Sequence, residues 1–463
     1  MRGRELLMGA IVALLFLVPI TASALDQELE ITGDVRLKIR YSDSPDTGRL
    51  AGTYNEALRR GFSFKDRFVL EIAYPVVERV RVGGMVRVSN EGDEVLLAGP
   101  EYLSSEMGSA FVAYETPVVR ARLGYYDTFY TPLTLMRWDT DDDPEGGGAG
   151  CGCPGAPSVA GAILGETLEE LGPTLTFEGA RATFSPGETF SFDGFLARPR
   201  PAGADYQLVT YGGKANATRY LARASSFLDL GLIAVRSEED GNSLEGSDQG
   251  AGEPMTNAVY GVTWKAPVAK ALSISGEWTL TKSSGDQERK GRGGIISVGI
   301  VPSKTLRITA SYIYLSPNWE SYFRALSYSP DREGARVAAE LASGNVRIAA
   351  FAKCLRSVDP LSDTDTRRRV YPTASLRGYF KITPVLDLGL GAILSGSDID
   401  DGWKLDAANK RLTLIGSLTL EFAKDSAVTL EERFVSNRVE ETTSTERDYD
   451  LSMLSLYVRS AIW

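Results

Sequence analysis

The 463-residue chain contains no histidine. That absence removes Ser-His-Asp and Cys-His catalysis, and with them His-ligated metals and haem. Cysteine is scarce: three residues are too few for a disulfide framework. Positive charge is in deficit, with 50 Lys+Arg against 61 Asp+Glu and a net charge of −11, which speaks against a nucleic-acid partner. Long apolar runs are confined to the first residues; after residue 24 no stretch approaches the roughly 18 apolar residues of a membrane-spanning helix.

What is present begins with an address. Arg2 and Arg4 precede an apolar run from Leu6 to Ile20, and Ala22-Ser23-Ala24 follows as a small-residue cleavage site. The expectation is a secretory signal peptide over 1–24, cut before Leu25, in preference to an uncleaved anchor. No cysteine stands at the cleavage point, so a lipoprotein is not expected. The mature chain, 25–463, then reads as one domain of 439 residues (463 − 24) with charge 48 − 60 = −12.

Past the leader, hydrophobicity alternates with period two. Leu29 to Tyr41 switches apolar and polar for thirteen residues. Successive side chains of a strand point to opposite faces, so such a segment has one apolar and one charged face. The rhythm recurs at Phe62, Phe64, Phe68, Leu70, Ile72 and Tyr74, at Val80, Val82, Val86 and Val88, at Leu306, Ile308, Ala310, Tyr312 and Tyr314, and at Leu412, Leu414, Leu418, Leu420 and Phe422. Nine short turns alternate with ten longer polar stretches (42–60, 90–107, 127–173, 199–205, 237–255, 283–292, 316–333, 356–370, 396–409 and 436–447), giving nineteen connections and twenty strands. Parity slips over 174–236, which leaves eighteen strands as an alternative, and Glu432 breaks the apolar face of its strand.

An even strand count, short turns at one end and long loops at the other describe an all-β, transmembrane antiparallel β-barrel. In lipid every backbone N–H and C=O must be paired inside the protein, so a spanning sheet has to close. A soluble sandwich or propeller also alternates, but with shorter strands and a less charged second face. Aromatics near strand ends (Tyr41, Tyr74, Tyr125, Trp264, Phe380, Phe422) fit interfacial girdles.

On this architecture, on Gly33-Asp34-Val35-Arg36-Leu37 in the first strand and on the terminal aromatic Trp463, the chain resembles Gram-negative outer-membrane porins. It departs from their pattern at Arg459 and Ala461, where such barrels prefer aromatic or apolar residues. The resemblance implies export to the cell outer membrane, recognition by the barrel-assembly machinery, contact with outer-membrane lipid and lipopolysaccharide, and a homotrimer as a common arrangement. It implies no cofactor, no metal and no catalytic residue. Barrel enzymes of this membrane rely on histidine. A plugged transporter needs a domain ahead of the first strand, and that strand begins about five residues after the cleavage point.

Taking the polar parity as the lumen puts basic residues at Arg36, Lys38, Arg40, Lys65, Arg67, Arg81, Arg87, Arg120, Arg122, Lys265, Arg307, Arg336, Arg347, Lys353, Arg377, Lys381, Arg411 and Arg433. Acidic residues there are Glu30, Asp34, Glu71, Glu277, Glu340, Asp387, Glu421 and Glu431. Basic side chains thus dominate the wall of a protein that is acidic overall, and the surplus acid falls in loops such as Glu238–Glu253. Rings of Arg or Lys lower the barrier for anions. The expected function is a water-filled channel for passive diffusion of small hydrophilic solutes, preferring anions. The alternatives are an export channel for an acidic polysaccharide, or a sheath or structural barrel without free diffusion.

The longest loop, 127–173, holds Asp139, Asp141, Asp142, Asp143 and Glu145. It is expected to fold inward as a constriction, its carboxylates facing the basic wall. The Asp spacing resembles the start of a Ca²⁺ loop but lacks the glycine and glutamate further on. A solvated acidic loop, bridging lipopolysaccharide through divalent ions, is the favoured reading. Cys151 and Cys153 are expected to be structural or incidental, and Cys354 to be an inert lipid-facing residue.

Overall fold

The computed structural model describes residues 29–43, 61–90, 103–128, 130–135, 176–199, 208–222, 226–239, 256–284, 288–322, 330–362, 365–400, 409–423, 426–438 and 449–462. They form twenty strands: β1 Glu30–Asp43, β2 Gly61–Val77, β3 Val80–Asn90, β4 Leu103–Glu115, β5 Val119–Asp127, β6 Thr176–Phe184, β7 Phe190–Pro199, β8 Leu208–Leu221, β9 Ser226–Glu239 and β10 Thr256–Ala269. The second half comprises β11 Leu272–Ser284, β12 Arg289–Ile300, β13 Leu306–Leu315, β14 Arg332–Ser343, β15 Val346–Arg356, β16 Arg368–Thr383, β17 Leu386–Asp400, β18 Asn409–Ala423, β19 Ser426–Arg438 and β20 Tyr449–Ile462.

Each strand pairs antiparallel with its chain neighbours, and β1 also pairs with β20, from Gly33 opposite Ile462 to Asp43 opposite Ser452. Every strand therefore has two partners and the sheet has no free edge. This is the arrangement that leaves no ladder group unpaired in lipid. The count is twenty, not eighteen. The connections β2–β3, β4–β5 and so on to β18–β19 span five residues or fewer, and the others lie at the opposite end. One of the tight turns shows the chemistry: Ser343 pairs with Val346, and Gly344 supplies the φ of 57° that a two-residue hairpin requires.

The outer skin follows the alternation. Leu123, Leu196, Leu232, Tyr260, Leu280, Leu376, Leu390 and Phe422 are exposed outward, each more than half accessible. On the inward parity the strands carry charged, hydroxyl and small residues together with buried apolar ones such as Phe351, Ile393 and Ile415. Cys354 shares the outward parity of Val346 and Ile348, opposite Ala335 and Pro372.

Two expectations need adjustment. The loop placed at 283–292 shrinks, because β12 already begins at Arg289. Strands continue past the apolar band, where hydrophobic periodicity no longer reports them. The segment 174–236 contains four full strands, β6 to β9, with unbroken register. Its parity is blurred because the inward face is apolar as well: Phe177, Phe195, Ile233 and Val235 are all almost fully buried, on the inside of the barrel.

Candidate functional site in the barrel lumen

Those inward apolar side chains have a cover. The chain leaving β5 does not rise into solvent but turns into the barrel. Tyr130 and Leu135 pack with Tyr126, Phe177, Phe195, Ala197, Ile233 and Val235. The turn is closed by hydrogen bonds from the Tyr130 and Leu135 amides to the Leu135 and Thr131 carbonyls, 2.8 and 3.1 Å. Leu133, fully buried, joins a second cluster with Ile313, Leu315, Trp319 and Leu355. Between the clusters the Thr131 hydroxyl donates to the Glu277 carboxylate on β11.

A second segment folds in beside it. After β13, residues 316–322 lay Trp319 against β11 and β12. Its indole Nε1 donates to Thr279 Oγ1 at 3.0 Å, and the Glu320 amide donates to Thr281 Oγ1 at 3.2 Å. Asn257 on β10 donates to the Glu320 carbonyl at 3.0 Å and accepts from the Tyr322 amide at 3.3 Å. The approach is so close that a Cβ on Gly291 would collide with the Trp319 backbone, which explains glycine there. The two segments are joined where Ser321 Oγ donates to the Thr134 carbonyl at 3.3 Å. Together they touch inward faces from β5 round to β16.

A carboxylate on this covered wall is neutralised locally. Asp193 on β7 accepts from Arg181 Nε at 2.9 Å, Thr183 Oγ1 at 2.7 Å and the Tyr130 hydroxyl at 2.8 Å. That satisfies a nearly buried carboxylate and pins the inward segment to β6 and β7, as burial of a charge demands.

The wall formed by β15 to β19 is different. One inward row runs Ala349, Arg377, Gly391, Ile415, Arg433 across five strands. The Arg377 side chain lies over Gly391, its Nε 3.2 Å from where a Cβ would stand, and its Nη1 donates to the Tyr379 hydroxyl at 3.2 Å. Arg433 pairs with Glu431 at 2.8 Å. The next row places Lys353, Thr373, Ser395 and Arg411 side by side. Arg347 pairs with Glu340 on β14 at 2.6 Å.

Across the bore, Arg122 stacks on the Phe111 ring at 3.7 Å and approaches Glu71 at 3.7 Å. Arg81 bridges Glu30 and Glu115, each at 3.0 Å. Arg120 and Arg307 are exposed, and Arg307 stands opposite Glu340 in the register. Among the described residues, several wall cations are thus paired with carboxylates on the wall itself.

For Arg36, Lys38, Arg40, Lys65, Arg67 and Arg87 the backbone positions are described. In register, Arg36 falls between Arg67 and Arg459, and Lys38 falls opposite Lys65. The register thus gathers these basic positions into one concentration. Arg459, the departure from the porin pattern, is part of it. The acidic residues Asp139, Asp141, Asp142, Asp143 and Glu145, and Cys151 and Cys153, lie outside the described residues. Sequence reading missed Arg181, Asp193, Lys214 and Tyr130. They sit in the region of blurred parity or at the base of the loop, and no spacing in the sequence marks them.

A sheet without edges, an apolar skin and a charged interior define a membrane-spanning β-barrel. The chain is similar in architecture to solved structures of such barrels. They include OccK5 (OpdH) of Pseudomonas aeruginosa, with 10% identity, 94% of this chain and 99% of that chain covered and a TM-score of 0.49. A BenF-like porin from Pseudomonas fluorescens Pf-5 has 10% identity, 94% and 99% coverage and a TM-score of 0.46. The outer membrane channel DcaP of Acinetobacter baumannii has 13% identity, 94% and 97% coverage and a TM-score of 0.39. No family model matches the chain, and no curated protein does.

Proposed function

We propose that the protein is an outer-membrane channel through which small hydrophilic solutes diffuse passively, with a preference for anions. The observation that carries this reading is the uneven lining of the lumen. Inward segments cover chiefly the β6 to β13 side with apolar and hydroxyl groups and reach β5 and β16 at its margins, so a solute passes along the remaining wall, chiefly β16 to β19 and β1 to β5. That side carries Arg377, Arg411, Arg433, Lys353, Arg120 and Arg122, of which Arg120 is exposed and Arg377 and Arg433 are 8% accessible. Cations fixed on a low-dielectric wall raise the local concentration of anions, and guanidinium forks suit carboxylate and phosphate groups. In this reading the loop that enters at Thr128–Leu135 continues as the constriction, with Asp139 to Glu145 facing the basic wall across a transverse field.

Reversal potentials across a planar bilayer in unequal KCl test the reading. An anion-selective potential is expected. Cation selectivity would overturn the preference, and absence of conductance would overturn the channel. Deleting 139–155 should raise single-channel conductance; an unchanged value removes the loop from the constriction.

A further inference from the structure

Outward charges at the long-loop end of the barrel mostly meet carboxylates. Arg236 pairs with Glu238 at 2.8 Å, Arg438 donates to both Asp450 oxygens at 2.9 Å, and Arg356 and Arg368 close on Glu333 at 2.8 and 2.9 Å. The ends of β11 and β12 break this habit. Between Lys282 and Arg292 the sequence holds four basic residues against Asp286 and Glu288. Lys282 stands directly opposite Lys290, and Arg292 opposite Leu280. Glu288 touches both lysines, at 3.4 and 2.8 Å. Among the described residues no ion pair includes Arg292, whose guanidinium lies 5.7 Å from the Tyr314 ring.

The position of these cations says what they face. Lys282 and Lys290 are 54% and 73% accessible and lie on the outward parity. On β11 they follow Trp278 and Leu280 without a gap, and on β12 they precede Gly294 and Ile296. All three of those large apolar side chains are exposed outward. The Trp278 ring lies across Gly294, where a Cβ would collide with it, which makes a flat apolar shelf directly below the cations. Cations at the upper border of a lipid-facing band sit at headgroup depth, where anionic lipid is attracted.

We propose that Lys282, Lys290 and Arg292 hold the phosphate of a lipid in the leaflet on the long-loop side, with its acyl chains against Trp278, Leu280 and Ile296. The proposal rests on the barrel spanning a membrane, not on its conducting solutes. Lys282 and Lys290 supply point charges, and Arg292 supplies a planar fork able to bind two phosphate oxygens.

The test is native mass spectrometry of the purified full-length barrel in detergent, titrated with bisphosphorylated lipid A. Wild type should retain the lipid, and the triple variant Lys282→Gln, Lys290→Gln, Arg292→Gln should bind roughly a hundredfold more weakly. Arg438→Gln, in a matched pair elsewhere on the rim, should bind as wild type does. Heat-modifiable gel migration reports folding; should the triple variant misfold, Lys290→Gln alone, at the most exposed position, carries the same comparison and should weaken binding several-fold. Equal binding by wild type and variant, or equal binding of lipid A stripped of its phosphates, overturns the proposal. Displacement of the lipid by millimolar inorganic phosphate also overturns it, in favour of a soluble-phosphate site. KCl conductance should be unaltered in the variant, so failure here and failure of the channel reading remain separate results.

Discussion

Two sides of one barrel solve the same problem differently. On the β6 to β13 side the inward face is largely apolar or hydroxyl-bearing, and segments 128–135 and 316–322 dry it by packing on Phe177, Ile233, Ile313 and Leu315. On the β15 to β19 side the inward face keeps Arg347, Arg377, Arg411 and Arg433, and pairs several of them with carboxylates along the wall. The covered side behaves as a protein core, where packing sets the energy. The other side keeps fixed charge: Arg377 and Arg433 sit among inward residues such as Phe351, Ile393 and Ile415, all under a tenth accessible, so charge and packing act together there. A solute-selective bore needs both: the first narrows the passage, and the second decides what enters it.

The largest expected effect comes from uncovering the covered side. Trp319 is fully buried and its indole bonds Thr279. Truncating a buried Trp to Ala typically costs about 3 to 5 kcal/mol, more than a short inward segment has to spare. Trp319→Ala should therefore release segment 316–322, lower the unfolding midpoint and raise single-channel conductance with added current noise. If conductance and midpoint both stay put, the segment is no part of the passage and the two sides are not functionally distinct.

Next comes the polar pin of the same side. Asp193→Ala strands Arg181 and the Tyr130 hydroxyl in a partly buried place, an effect of about 1 to 3 kcal/mol. Stability in denaturant should fall while ion selectivity barely moves. The converse holds on the uncovered side. Arg377→Gln should reduce the anion-to-cation permeability ratio roughly twofold with little change in stability, whereas Lys214→Gln on the covered side should leave the ratio alone. Reversal potentials of the two variants side by side decide whether selectivity lives on one wall.

The same contrast explains what could be read in advance. Where one parity is mostly polar and the other apolar, strands such as β1 and β18 are written plainly in Leu29–Tyr41 and Leu412–Phe422. Where a segment dries the lumen, both parities turn apolar and β6 to β9 lose their signature. The inward path of Tyr130, Leu133 and Trp319 was illegible for a related reason. Their partners are tens to hundreds of residues away, and a buried tyrosine or tryptophan in a loop looks like any exposed one. Charge on the wall was legible, but its pairing was not: Arg347 with Glu340 and Arg122 with Glu71 depend on strand register, which alternation alone does not fix.

The outer skin offers the smallest effect and a check on the inside–outside assignment itself. On β19, Glu431 and Arg433 face inward, and between them Glu432 is exposed on the outward face, flanked by Leu430 and Phe434. Its cross-strand neighbours are Gly416 and Leu454, and Gly416 lies midway between Phe422 and Leu412 along β18. A carboxylate there meets hydrocarbon at mid-depth, and among the described residues no ion pair includes it. Charges on the lipid face of a barrel are costly near the midplane, acidic ones less so than basic ones, so relief of about 1 to 2 kcal/mol is expected from Glu432→Leu in equilibrium unfolding from vesicles. Glu431→Leu, one residue away but inward, should do the opposite by stranding Arg433, whose side chain is largely buried. Stabilisation by both variants would mean the two faces of β19 are not what its register says, and the division between a lipid skin and a charged bore would fail with it.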